Sequence, residues 1–246
     1  MTGPVTTSAA VAGHTAAETG GGSHSSMLNK LRAGVLGAND GIVSVAAMVM
    51  GVAGATTDSF AILVAGVAGL SAGALSMAVG EYVSVSAQRD SERALLARER
   101  WELENLPDQE LAELASLYEA KGLTPDLAHQ VATQLTHHDA LGAHAEAELG
   151  IDPDELVNPW HAAGASMGAF VLGALVPLLV MVLTAPSVRV WATAGAVVGA
   201  LVLTGVFSAR IGGARVLPAV VRVVSGGVLA MAITYAIGML VGGGIA

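Results

Sequence analysis

From residue 159 to residue 246 the only charged side chains are Arg189, Arg210, Arg215 and Arg222, with no acid and no lysine among them. That stretch holds three apolar runs of about 20 residues, and residues 33–85 hold two more, each the length a helix needs to cross a bilayer. The expected fold is therefore all-α: a polytopic membrane protein with five transmembrane helices. The spans are expected at 33–55, 60–85, 161–184, 188–209 and 217–241. Composition agrees and overrides the soluble domains that a length of 246 would otherwise allow: 53% of residues are apolar, 13% are charged, and mean hydropathy is +0.64.

The acids are concentrated elsewhere. Of the 20 Asp and Glu residues, all but Glu18, Asp40 and Asp58 fall between residues 81 and 155. A soluble helical insert between the second and third spans accounts for this. The chain thus divides into a disordered tail (1–27), spans one and two (28–87), a cytoplasmic helical metal-binding domain (88–158) and spans three to five (159–246). The net charge of −9 comes from the insert. It argues against nucleic acid as a partner, which calls for clustered Lys and Arg. The absence of Cys excludes disulfides, Fe–S ligation and thiolate metal sites.

The tail is Ala, Thr, Gly and Ser with His14 and His24, which read as solvated. It lacks the basic start and apolar core of a signal peptide. Asp58, after a turn at residues 55–59, is a candidate N-cap for the second span. No Gly or Pro interrupts residues 88–106, so the second span continues as a stalk. A helix over 60–105 would be about 70 Å long, against about 30 Å of hydrocarbon. Pro107 starts a helix with Leu111, Leu114 and Tyr118 on one face, stopped by Gly122. Thr124-Pro125-Asp126 starts another, with Leu127, Val131 and Leu135 on one face. Asp139 caps a further stretch ending at Gly150. Trp160 marks a membrane interface, and Pro177 is a candidate kink.

Basic residues set the orientation. Lys30 and Arg32 precede span one; Arg89, Arg93, Arg98, Arg100 and Lys121 lie in the insert; Arg210, Arg215 and Arg222 follow span four. Arg189 alone lies on the other side. The N-terminus and insert are expected in the cytoplasm and the C-terminus outside. Five GxxxG pairs (Gly37/Gly41, Gly69/Gly73, Gly164/Gly168, Gly195/Gly199, Gly238/Gly242) suit either a homodimer or close packing within one bundle.

Three sets of residues can carry chemistry. Asp40, beside Asn39 and Gly41 in span one, is an ionisable group where burial in lipid costs at least about 2.5–3.5 kcal/mol, so it faces a pathway or else anchors the helix end. Met77 and Glu81, four apart on span two, share a face; thioether plus carboxylate suits a borderline transition metal, though a Met at this spacing also serves packing. In the insert, Glu99/Glu102 and Glu110/Glu113 are two E-x-x-E pairs. Each pair lies on one helix face, and the two can meet across a hairpin turned at Pro107. His144 and Glu148, four apart, add a nitrogen and an oxygen. Ordinary solvated helix faces would show the same spacing. His129, His137 and His138 read as surface residues. A di-iron oxidase would need Glu-x-x-His, which is absent; Asp126-x-x-His129 is a poor substitute. With no G-x-S-x-G, P-loop or Cys–His pair either, the chain reads as a non-enzyme.

Two motifs, LRAGVLGANDGIVS at 31–44 and SMAVGEYVSVSAQRD at 76–90, resemble those of the vacuolar iron transporter family. The resemblance runs from about residue 28 to the C-terminus. It implies five spans, a cytoplasmic metal-binding domain and a homodimer with its pathway at the subunit interface. The implied activity is export of Fe²⁺, often Mn²⁺ as well, from the cytosol by proton antiport. Asp40 and Met77 match pathway residues; Glu99, Glu102, Glu110, Glu113 and Glu148 match metal-domain carboxylates. A methionine pair of plant members is replaced here by His144 and Ala145. The expected partners are divalent metal ions, protons and the lipid bilayer, with no permanently bound cofactor, and the expected location is a bacterial plasma membrane. A membrane-tethered metal sensor or buffer without transport is the alternative.

Overall fold

The computed structural model describes residues 21–154 and 156–243, with side chains from Gly34 onward. The expected tail up to residue 20, the side chains of His24, Lys30 and Arg32, and Glu155 lie outside the described residues. Among the described residues seven α-helices form: α1 (Gly21–Ala55), α2 (Ser59–Asn105), α3 (Pro107–Ala120), α4 (Pro125–His144), α5 (Pro159–Leu183), α6 (Arg189–Ile211) and α7 (Val216–Gly243). A π-helical turn, Ala145–Leu149, continues α4. Among the described residues five helices are long and apolar enough to cross a membrane, and they match the expected spans within a few residues, except that α1 begins earlier; α2 runs on to Asn105 without a break, as the expected stalk does. The chain is a multi-pass membrane protein. It divides into two compact units, residues 1–77 with 165–246, and residues 78–164.

Local chemistry explains the helix ends. The Phe60 N–H donates to Asp58 Oδ1 at 3.0 Å, so Asp58 caps α2. Leu106 precedes α3, with Pro107 inside its first turn, and Gly122 follows at φ +101°. Thr124 precedes α4 with extended backbone and no side-chain cap bond. Asp139 is non-helical (φ −157°, ψ 95°) and accepts the Gly142 N–H at 3.0 Å. It ends one helical segment and caps the next, which carries His144 and Glu148. Asn158 caps α5 by accepting the Trp160 N–H at 3.0 Å.

In the membrane unit α1 is the central packing element. Ile42, Val45, Ala46, Val49 and Met50 recur at helical spacing and are all buried. Against them pack Ile62 of α2, Phe170, Ala174, Leu178 and Met181 of α5, Val197 and Leu201 of α6, and Met231 of α7. Three of the GxxxG pairs are spent on packing inside the chain. A Cβ at Gly41 would collide with the Phe170 carbonyl of α5, one at Gly238 with the Gly51 carbonyl of α1, and one at Gly69 with the Met48 thioether. Gly164/Gly168 and Gly195/Gly199 face open space within the chain. Because the Gly238 contact is backbone against backbone, Gly238→Val is expected to lower stability by about 1–3 kcal/mol through overpacking. Thermal unfolding in detergent checks this, and an unchanged midpoint would show that α7 sits less tightly on α1.

In the second unit, Leu114 and Ala115 of α3 pack on Ala132 of α4, with Leu111 and Tyr118 alongside. The face of α4 differs from the expected one. Ala128 and Ala132 are fully buried, whereas Leu127 is exposed. The small alanines let α4 approach α3 closely, and that contact turns the larger leucine outward.

Candidate metal centre and membrane cavity

The buried polar centre of the second unit is His144. It ends α4 with its side chain fully buried, and two carboxylates from different helices approach the same ring nitrogen. Glu99 Oε1 of α2 stands 3.0 Å from His144 Nδ1, and Glu110 Oε2 of α3 stands 3.6 Å from it. The expected meeting of the two E-x-x-E pairs is thus made by one glutamate from each, with the histidine between them. Glu148 completes the group from the π-helical turn. Ligand atoms of Glu99, His144 and Glu148 all lie within 4.8 Å of one another.

Despite their closeness, His144 Nδ1 and Glu99 Oε1 are out of hydrogen-bond alignment. Both are buried without a hydrogen-bond partner, as is His144 Nε2. Buried polar atoms are normally paired, and leaving one unpaired costs about 1–3 kcal/mol. Converging nitrogen and carboxylate lone pairs with no partner are what a borderline divalent cation would satisfy.

The remaining predicted ligands stand differently. Glu102 is half-buried and held by Arg98 through an ion pair of 2.9 Å. Glu113 is exposed on α3. Arg98 carries no signal in the sequence beyond its spacing of four from Glu102, and it supplies the positive charge nearest this acidic group. His129, His137 and His138 are exposed.

The electrostatics follow from burial and crowding. Burial pushes the Glu99 carboxyl up to about 7, and the neighbouring Glu148, Glu110, Glu102 and Glu113 carboxylates add to the effect. Glu110 and Glu148 are raised in the same way, by burial first and then by Glu113 and Glu102. Burial lowers His144, against the opposing pull of Glu113. The usual order is inverted: the carboxyl of Glu99 holds its proton at a pH where the imidazole is already neutral. Metal binding requires an ionised carboxylate and a neutral imidazole. Affinity is therefore expected to be full above about pH 7 and to be lost as pH falls through it, by roughly tenfold from about pH 8 to about pH 6 for the one carboxylate. Anaerobic Fe²⁺ titration of the full chain at those pH values is the check. Affinity that stayed constant would remove Glu99 from the ligand set.

In the membrane unit, Asp40 of α1 lines a cavity of about 320 Å³ together with Ser44, Ser76, Met77 and Phe170. Asp40 is exposed within the single chain and accepts a hydrogen bond from Ser44 Oγ at 3.0 Å. Ser44 lies one turn from Asp40, the one sequence cue that it belongs there. The Asn39 side-chain oxygen is buried without a partner. Gly37 lies against Ser166 and Ala169 of α5 and near the Met77 methyl, so the small residue admits Met77 to the region. Glu81, one turn further along α2, is half-buried.

Residues 31–239 match the family described as the VIT family. A protein of Acanthamoeba castellanii named vacuolar iron transporter is 46% identical over 214 residues, covering 85% of this chain and 78% of its own length. Vacuolar iron transporter homolog 2.1 of Arabidopsis thaliana is 38% identical, covering 86% of this chain and 81% of its own length. Vacuolar iron transporter homolog 1 of Oryza sativa subsp. japonica is 37% identical, covering 95% and 83%. With five candidate spans and both motifs inside the matched region, the chain belongs to the VIT family.

Proposed function

We propose that the protein exports Fe²⁺, and Mn²⁺ with it, from the cytosol in exchange for protons. Family membership and the names of its relatives support a metal cargo. The observation that carries the reading is that a carboxylate, Asp40, and a thioether, Met77, line one cavity in the membrane unit. That pairing suits a borderline transition ion better than Mg²⁺ or Ca²⁺, and an ionisable group in a span marks a pathway. The orientation follows the ten-to-one bias of basic residues, with the N-terminus and insert in the cytoplasm.

In this reading Glu99, His144 and Glu148 capture the ion, with Glu102, Glu110 and Glu113 supplying the surrounding negative charge. The ion then passes Glu81 and Met77 to Asp40, which a second copy of the chain covers in a homodimer. Because protons and metal compete for the same carboxylates, loading releases protons and acidification releases metal, a physical route to antiport.

Uptake of Fe²⁺ and of Mn²⁺ into proteoliposomes, with and without an acidic lumen, tests the proposal. Gradient-dependent accumulation supports it, and the ratio of rates orders the two ions. The Glu99–His144–Glu148 group, with Glu99 and His144 buried and Glu148 exposed, would serve equally well in a membrane-tethered sensor or buffer, and binding with no accumulation under any gradient would select that reading.

A further inference from the structure

A second, larger cavity lies in the membrane unit between α1, α6 and α7, with a volume of about 820 Å³. Its walls are mostly apolar, including Met50, Val198 and Met231, and its polar groups gather at the end formed by Thr56, Ser187 and Arg189. Thr56 and Ser187 belong to the turns after α1 and before α6, and Arg189 is the first residue of α6. The neighbouring Trp191 is 80% exposed, as expected of a ring at a membrane–water interface.

Arg189 is 4% exposed. Its guanidinium donates to Ser59 Oγ and to the Thr57 carbonyl, each at 3.2 Å. Among the described residues no carboxylate stands within 4.0 Å of it. A guanidinium stays charged in proteins, and a buried charge calls for a counter-charge. Arg189 is also the one charged residue in the cavity lining. The lining therefore offers a positive end and an apolar body, with no carboxylate to pair with a cationic headgroup.

We propose that this cavity binds an anionic phospholipid, with the phosphate paired to Arg189 and an acyl chain against the apolar walls. The planar fork of arginine suits phosphate oxygens. The apolar walls favour a lipid over a free anion, and the missing carboxylate favours a net anionic headgroup over a zwitterionic one.

The test is native mass spectrometry and thermal unfolding of the full chain in detergent, titrated separately with phosphatidylglycerol, phosphatidylcholine and inorganic phosphate. Phosphatidylglycerol is expected to bind about tenfold more tightly than phosphatidylcholine: both offer the phosphate, but the choline cation would sit near Arg189 with no carboxylate in the lining to offset the repulsion. Arg189→Gln should remove that difference. Because Arg189 also holds the Thr57–Ser59 turn, a second variant is needed. Gly195 lines the cavity, and a Cβ there meets nothing within 4 Å. Gly195→Phe fills the space while leaving every Arg189 contact in place, and it should weaken phosphatidylglycerol binding at least as much. Equal binding of the two lipids, or unchanged phosphatidylglycerol binding by Gly195→Phe, overturns the proposal. Inorganic phosphate reproducing the full stabilisation alone would also overturn it, by assigning the site to a free anion.

Discussion

Asp40→Asn is expected to reduce Fe²⁺ and Mn²⁺ uptake into proteoliposomes to the level of protein-free vesicles. The substitution keeps the shape of the side chain and an acceptor for the Ser44 hydroxyl, which bonds Asp40 Oδ1 at 3.0 Å. It removes the negative charge that would hold a divalent ion in a cavity whose other polar groups are neutral. A neutral amide also cannot exchange a proton for metal. Metal binding by Glu99, His144 and Glu148 should be unaffected, since none of these residues is on α1. The combination of intact binding and absent transport separates a pathway residue from a folding defect. Full transport by Asp40→Asn would take Asp40 out of the mechanism.

Glu99→Gln should move stability and binding in opposite directions. The folded-state pKa of Glu99, about 7, lies above the ordinary 4.5. Folding therefore favours the protonated carboxyl, and the ionised form costs stability that is felt in full above about pH 7. Glutamine resembles the protonated form. The metal-free variant should unfold at a higher temperature than the natural protein near pH 8, and the difference should vanish near pH 4, where both side chains are neutral. Metal affinity should fall by about 100-fold or more, given that losing even a hydrogen bond that supports a ligand costs about 10–100-fold. Differential scanning fluorimetry with and without Fe²⁺ reads both effects in one experiment. A variant that lost stability without metal would contradict the raised pKa of Glu99, and one that kept full metal stabilisation would contradict its ligand role.

The membrane helices were legible because hydrocarbon leaves little choice: apolar runs of span length admit few other readings, and α5, α6 and α7 fall within about two residues of the positions expected from sequence. The caps at Asp58 and Asp139 were legible for a similar reason, since each is decided by a few neighbouring atoms. The grouping in the second unit was only partly legible. Spacing places Glu99 and Glu102 on one face of α2, but it does not say which of them turns inward. Tertiary packing decides that: Glu99 meets His144, while Glu102 meets Arg98. The buried face of α4 was misjudged because hydrophobicity favours Leu127, whereas close approach of two helices favours Ala128 and Ala132. In the sequence Arg189 counts as one unit of charge on the side opposite the other basic residues. Its isolation from the ten other basic residues was the clue that it has a place of its own.

The glycine contacts of α1 have a mechanical consequence. Where Gly41 meets the Phe170 carbonyl and Gly238 meets the Gly51 carbonyl, rigid backbone bears on rigid backbone, with no side chain between to yield. On the side facing α2 the contact at Gly69 is made by the Met48 thioether, an unbranched chain that can change rotamer. Stiffness around α1 is therefore uneven. The seams with α5 and α7 act as welds, and the seam with α2 acts as a sprung joint. Met48 also lines the cavity that holds Asp40, so the compliant seam and the acidic cavity coincide.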